Sequence, residues 1–237
     1  MTRANRGVLS ALVTVGATGA ATIALIALIA SIAIVTPLHA QIGPRLPRPG
    51  LGTDPDYWVG LSYGYVEGIS LSDEATNGIW RFAYTSQIRA TFEKTVQRGV
   101  TVGVAAGFST ARLTYEASTS SASCGFSCDA NADITQYTGF VRGGGGGIGF
   151  HGMYTLEGGI TRFSNFRERT SGNALPPANA TNDFTFGFGG GLGFGLSRES
   201  EIYVGEQTNF VLHPEAPGQN ASAPRMLVFR AGFRFGF

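Results

Sequence analysis

Apolar side chains alternate with small or polar ones along the last eleven residues of the chain, Leu227 to Phe237. They read LVFRAGFRFGF, and six apolar positions fall on one face while Arg230 and Arg234 fall on the other. Successive side chains of a β-strand point to opposite faces, so a strict period of two predicts a strand.

Seven earlier segments show the same alternation with varying clarity. In the second of them, Trp80, Phe82 and Tyr84 are assigned to the apolar face and Arg81 to the polar face. In the third, the apolar positions change phase near Thr110, which a β-bulge or a membrane boundary would explain. The faces of the seventh stay ambiguous. The eight predicted strands are 57–65, 80–93, 100–109, 134–142, 148–161, 184–196, 201–211 and 227–237.

The connections between these strands alternate between long and short. Long polar loops are expected at 67–77, 117–133, 164–182 and 212–224, and short turns lie between the other strand pairs. An even number of strands puts both chain ends on one side, together with the short turns. This arrangement predicts an all-β fold, an eight-stranded antiparallel transmembrane β-barrel with short periplasmic turns and long extracellular loops.

A period of two does not by itself say which face is outside. A soluble barrel of the lipocalin type would turn the apolar face inward. However, only 14% of the residues are charged and Lys94 is the only lysine, which makes the polar face a poor water-facing surface. The apolar face is rich in aromatic residues, as the lipid-facing surface of a membrane barrel is. We therefore expect the apolar face to contact lipid.

The polar face then lines an interior just wide enough for side chains. Buried charges are tolerated when they are paired, so we expect an ion network there. Its predicted members are Arg81, Arg89, Glu93, Arg142, Glu157, Arg230 and Arg234. The alternative is that these charges form a gate or a small pore.

The N-terminal region divides into two further segments. Arg3 and Arg6 precede a long apolar run that ends near Leu38-His39-Ala40, which predicts a secretory signal at 1–40. The run is also long enough to be retained as a helical anchor. Residues 41–56 are rich in Pro and Gly and are expected to form a periplasmic linker, which leaves 57–237 for the barrel.

Two short motifs invite other interpretations. Cys124 and Cys128 lie in a loop of an exported chain, where a disulfide is expected; a metal or redox pair is the alternative. The glycine run 143–147 satisfies phosphate-binding patterns, but a strand follows it where a helix is needed, so it predicts a turn. No cofactor and no metal site is expected, and the near-neutral charge gives no reason to expect nucleic acid.

The signal segment, the alternating connections and the aromatic last strand resemble the small eight-stranded outer-membrane barrels of the OmpA transmembrane-domain and OmpX type. The resemblance implies insertion in the bacterial outer membrane as a monomer, with loops displayed outside. It also implies that the barrel-assembly machinery recognises the last strand. The matching residues are Phe229, Phe233, Phe235 and Phe237.

Members of that family are structural, adhesive or stress-related surface proteins, and a few modify lipids. We therefore expect a structural or surface-interaction role, with outer-membrane lipid as a partner and a surface ligand on the long loops. A narrow porin-like channel is the alternative. A lipid-directed enzyme is not expected, because His213 and Glu215 offer half a hydrolase triad without the Ser that barrel deacylases carry two residues after the His.

Overall fold

The computed structural model describes residues 55–74, 76–121, 124–145, 147–214 and 224–237. The predicted signal at 1–40 and most of the predicted linker lie outside these residues. Of the linker, Pro55 and Asp56 are described, and both contact Thr95. The hydroxyl of Thr95 donates to the carbonyl of Pro55 (2.6 Å), and its backbone N–H donates to the carbonyl of Asp56 (2.8 Å).

The described part of the chain contains ten strands and no helix. In chain order they are β1 (Tyr57–Val66), β2 (Ser70–Asp73), β3 (Gly78–Phe82), β4 (Thr85–Gln97), β5 (Val100–Ser121), β6 (Gly125–Gly143), β7 (Gly149–Glu168), β8 (Thr181–Gly195), β9 (Ser200–Leu212) and β10 (Arg225–Gly236).

Eight of these strands close into an antiparallel barrel, which confirms the predicted fold. The order around the barrel is β1, β4, β5, β6, β7, β8, β9, β10, and β10 pairs back with β1. Val59 on β1 pairs directly with Phe235 on β10. If the pairing partners are traced from Val59 in the other direction, through β4 and the remaining strands, the path arrives on β10 at Arg225. The two positions on β10 are ten residues apart, and this offset is the stagger of the barrel. This stagger tilts the strands and fixes the barrel width.

The connections lie as the sequence predicted, with two additions. The short turns meet Tyr57 and Phe237 at one end of the barrel, the turn end, and the long connections meet at the other, the loop end. The first long connection, expected to be a loop, contains β2, which pairs with β3 as a hairpin. Most of the second expected loop is strand, because β5 extends as far as Ser121 and β6 already begins at Gly125.

The second predicted strand is two strands, and its face assignment was wrong for three residues. Between the pairs Phe82–Leu113 and Ile88–Phe108 the chain advances six residues on β3 and β4 but five on β5. One extra residue reverses the alternation, as a β-bulge does. Trp80 and Phe82 are therefore buried inside, and Arg81 points outward.

The phase change in the third predicted strand has a different origin. β5 pairs with β6 without a shift from Val100 to Glu116, so no bulge separates Phe108 from Leu113 in that pairing. Phe108 points outward and is half exposed, whereas Leu113 and Tyr115 point inward and are buried. The backbone keeps its alternation, and it is the apolar side chains that change from the outer to the inner face.

This change divides the interior into two halves. The loop-end half contains an apolar cluster, which we call the upper core, built from β1, β2, β3, β5, β6, β7, β9, β10 and the loops. The turn-end half contains paired polar and charged side chains. The main members of the upper core are Val66, Leu71, Trp80, Phe82, Leu113, Tyr115, Ile134, Phe163, Phe166, Val211, Met226 and Val228.

The upper core predicts a large difference between two neighbouring positions on β5. Leu113→Ala should lower the free energy of unfolding by about 2–5 kcal/mol, because it leaves a cavity in packed apolar surroundings. Arg112→Ala, on the outer face, should change it by less than about 0.5 kcal/mol. Urea titration of the refolded protein in lipid vesicles measures both, and equal effects would contradict the assignment of faces.

Candidate functional site: the barrel wall, interior and cap

The outer face of the barrel is an apolar band. Leu61, Val104, Leu192 and many similar residues point outward with about half of their surface exposed. Aromatic rings cluster at both edges: Tyr57 stacks on Phe92 and Phe237 at the turn end, and other rings, such as Tyr65 and Tyr84, stack near the loop end. An apolar band between aromatic girdles is the lipid-facing surface of a membrane barrel.

Glu206 is an exception within this band. It points outward from β9 between Val204 and Thr208, and its pairing partners are Gly190 and Phe229. It forms no ion pair with any described residue. A carboxylate on the lipid face destabilises a barrel, although less than an arginine does. Nothing in the structure explains this residue.

Four charged side chains from four strands form the first layer of the interior, near the turn end. The guanidinium of Arg234 donates to Glu201 (2.8 and 3.1 Å) and to Glu93 (3.2 Å), and Arg142 donates to Glu93 at 2.6 Å. Arg234 also stacks on Trp58, with its guanidinium carbon 4.4 Å from the ring centroid. All four charges are almost fully removed from water, so each is stabilised by a partner of opposite sign.

A short turn lies directly under this layer. The β6–β7 connection carries Gly144 at a φ of 86° and Gly147 at a φ of 109°, conformations that favour glycine. A Cβ at Gly145 would clash with Nη2 of Arg234. The glycine run therefore forms a turn, as predicted, and lets the backbone approach the charged layer closely.

The second layer lies nearer the middle of the barrel. Arg89 donates to both carboxylate oxygens of Glu157 and to Thr138 at 3.2 Å. Arg230 donates to Gln87 (2.8 Å) and to Gln207. A cavity of about 60 Å³ remains between Arg89, Arg142 and Arg230, which is room for a few water molecules.

Six of the seven predicted interior charges lie in these layers, and Arg81 does not. It is on the outer face beyond the extra residue in the strand, where its Nε lies 2.8 Å from Glu116. Glu201 was missed because the faces of its strand were ambiguous. Alternation from the buried Gln207 and Asn209 back to Glu201 would have assigned it to the interior. Nε2 of His151 lies 3.0 Å from Glu201.

A buried cluster of three charged side chains closes the loop end, and we call it the cap cluster. Nδ1 of His213 lies 2.7 Å from Asp183 and Nε2 lies 3.3 Å from Asp73. Asp73 also accepts from the backbone N–H (2.8 Å) and hydroxyl (2.6 Å) of Thr76. The ring of Trp80 lies 5.1 Å from that of His213. The cluster joins β2, β8 and the residue that follows β9, and it lies against Trp80 and Phe163 of the upper core.

Burial alone would lower the pKa of His213, but the hydrogen bonds and charges of Asp183 and Asp73 raise it from 6.5 to about 9. Burial alone would raise the pKa of Asp73, but the hydrogen bonds from His213 and Thr76 and the charge of His213 lower it overall. The cluster is thus a cation held between carboxylates. None of the described residues forms a group of three or more ligands suited to a metal ion.

The remaining predicted residues lie at the edges of the barrel. Cys124 and Cys128 are joined by a disulfide, with Cα atoms 5.4 Å apart, and the buried Cys124 belongs to the upper core. The four phenylalanines of the last strand, Phe229, Phe233, Phe235 and Phe237, point outward into the apolar band. The backbone of Phe237 exchanges two hydrogen bonds with Tyr57 (2.9 and 3.1 Å).

No family model matches the sequence, and no curated protein is similar to it. Among solved structures, the barrel is similar to Neisserial surface protein A (NspA), with a TM-score of 0.49 and 11% identity over 77% of this chain and 97% of that one. It is also similar to the N-terminal β-barrel domain of Pseudomonas aeruginosa OprF (TM-score 0.43, 9% identity, 77% and 100% coverage). A third similar structure is Ail, the attachment invasion locus protein of Yersinia pestis (TM-score 0.37, 13% identity, 77% and 99% coverage).

No helix within the described residues is long and apolar enough to cross a membrane. The closed sheet pairs its backbone groups internally, and the apolar band surrounds a polar interior. These are the properties of a β-barrel that spans a membrane.

The charged layers predict an unequal cost for removing two glutamates. Glu93→Ala should lower the free energy of unfolding by about 3–5 kcal/mol, because it leaves Arg142 and Arg234 buried without one of their partners. Glu116→Ala breaks the exposed pair with Arg81 and should cost less than about 1 kcal/mol. Urea titration in vesicles compares the two variants with the parent, and similar losses would contradict a buried network.

The cap cluster predicts a stability that depends on pH. Because folding raises the pKa of His213 from 6.5 to about 9, its contribution is complete below pH 6.5 and is lost as the pH rises through 9. Asp73, whose pKa is lowered, contributes above its ordinary value of 3.8. The unfolding free energy of the parent minus that of His213→Gln should therefore be larger at pH 6 than at pH 10. A difference that does not change with pH would refute the charged state of His213.

Proposed function

We propose that this chain is a structural or surface-interaction protein of the outer membrane, with a plugged interior and loops displayed to the outside. One observation carries the proposal: the interior is filled along its length. Charged layers occupy the turn-end half, and the upper core occupies the loop-end half together with the cap cluster that packs against it. A filled barrel supports its own wall and its loops but gives no path for solutes.

The loop end supplies the surface for an interaction. The β2–β3 hairpin, the long β5–β6 hairpin and the β7–β8 connection rest on the upper core, and the disulfide and the cap cluster hold them there. Binding surfaces are commonly built on loops that a rigid scaffold positions. Preformed loops lose less conformational freedom when a partner binds, which favours a surface-interaction role.

A narrow channel is the second candidate, favoured by the cavity of about 60 Å³ that lies beside Arg89, Arg142 and Arg230. A rearrangement of these side chains would have to join that cavity to both ends of the barrel. The hydrogen bonds of Arg230 to Gln87 and Gln207 and the ion pair of Arg89 with Glu157 oppose such a change.

Single-channel recording in planar bilayers separates the two candidates. We expect the full chain to give no stable conductance above a lipid-only control. Arg230→Ser serves as the positive control, because it removes the side chain that crosses the interior between Gln87 and Gln207 and should create brief openings. Stable openings of the parent protein would reject the plugged barrel.

A lipid-modifying activity is the least supported alternative. A hydrolase would need a hydroxyl group that His213, acting as a base, could activate. The described residues that contact His213 are two carboxylates and aromatic rings, and none of them offers a hydroxyl within hydrogen-bonding distance. Mass spectrometry of lipid A from cells with and without the protein tests this alternative. Identical lipid profiles are expected, and a modified lipid that depends on the protein would show an enzyme.

The assembly route belongs to the same proposal. The outward phenylalanines of β10 form an aromatic row, interrupted at Ala231, beside the seam with β1, where the barrel closes. We infer that the barrel-assembly machinery recognises this strand before closure and that the finished barrel is a monomer.

A further inference from the structure

An open groove of about 530 Å³ lies on the outer face of the barrel, where the apolar band meets the polar loop end. Its membrane side is lined by Tyr63, Ile88 and Phe108. Its loop side is lined by hydroxyl groups together with Asp133 and Asn165. The groove is therefore amphipathic along the axis of the barrel.

A local irregularity in the wall builds the groove. Between the pairs Asp133–Ser164 and Asn131–Arg167, β7 advances three residues while β6 advances two. The extra residue, Asn165, has a φ of 55°, a conformation that few residues other than glycine adopt but that asparagine tolerates. Its amide donates to Asp133 at 2.6 Å, and the hydroxyl of Thr110 donates to the same carboxylate at 2.7 Å. Asn165 and Thr110 thereby hold the polar side of the groove in place.

Two arginines flank the polar side. Arg162 pairs with Thr135, which lines the groove, and Arg112 lies two residues beyond Thr110 on the same outer face. Both side chains are exposed, and neither forms an ion pair with a described residue. β8 and β9 carry Phe184 and Leu212 at their loop ends instead.

The chemistry of an occupant follows from these groups. Two free guanidinium groups bind phosphate oxygens with charge-assisted hydrogen bonds. Carboxylate, amide and hydroxyl groups together exchange hydrogen bonds with sugar hydroxyls. The apolar side continues into the lipid-facing band, where only acyl chains fit. One amphiphile has all three parts at these positions: a phosphorylated glycolipid of the outer leaflet.

We propose that the groove between β4 and β7 binds the phosphorylated sugar headgroup of an outer-leaflet glycolipid, with the acyl chains along Ile88 and Phe108. Arg112 and Arg162 bind the phosphate, and Asp133 accepts hydrogen bonds from the sugar. The site goes beyond a structural role, because a barrel needs no particular lipid in order to span a membrane. It rests on the proposed display of the loops to the outside, and it does not depend on a plugged interior.

Native mass spectrometry of the full-length protein in detergent, titrated with bis-phosphorylated lipid A, tests the site. Arg112→Gln combined with Arg162→Gln should weaken binding about tenfold, since two charge-assisted contacts are lost. Arg225→Gln, which removes an exposed arginine from the far side at the loop end of β10, should leave binding unchanged. Unchanged binding by the double variant, or an equal loss in Arg225→Gln, would overturn the proposal.

Two further probes separate the parts of the ligand. The parent protein should bind dephosphorylated lipid A as weakly as the double arginine variant binds bis-phosphorylated lipid A. Inorganic phosphate should not displace lipid A, and phosphatidylglycerol, which has a phosphate but no sugar, should bind at least about tenfold more weakly. Displacement by inorganic phosphate, or equal binding of phosphatidylglycerol, would overturn the assignment to a glycolipid. A heat-dependent gel shift of each variant shows that the barrel has formed.

Discussion

Each long strand of this barrel passes through two surroundings, and the rest of the structure depends on that change. In the membrane, lipid lies outside, so the outer face is apolar and the inner face carries the charges. Beyond the membrane, water lies outside, and the apolar side chains turn inward to form the upper core. β5 shows the change most directly, because Phe108 points outward and Leu113 points inward while its pairing with β6 continues without a shift.

The two halves are stabilised by different interactions and fill the same barrel. In the membrane half, arginines and glutamates from several strands form hydrogen-bonded ion pairs. Most of these pairs link strands that are not neighbours in the barrel wall. In the outer half, packing of apolar side chains holds the hairpins, and the cap cluster links the first and last long connections to β8. Side chains fill both halves, and this filling is the basis on which we propose a surface role.

Local sequence predicted most of the membrane half, although Glu201 was missed there, and it predicted less of the rest. The alternation of Leu227–Phe237 and its equivalents predicted the strands, the barrel and six interior charges, since a period of two reports directly on faces. One extra residue near Ala83 moved Arg81 to the outside, and no local pattern marks such a bulge. The cap cluster was not predicted, because Asp73, Asp183 and His213 are far apart in sequence and meet only through the closure of the barrel.

Spin-label accessibility along β5 in lipid vesicles tests the change of faces most directly. Labels at single positions from Val104 to Tyr115 would be probed with oxygen, which concentrates in lipid, and with a water-soluble nickel complex. Oxygen should reach Val104, Ala106 and Phe108, the nickel complex should reach Thr110 and Arg112, and both should be excluded from Leu113 and Tyr115. Exposure of Leu113 and Tyr115 with protection of Arg112 would mean that the strand itself changes phase, and it would contradict the account.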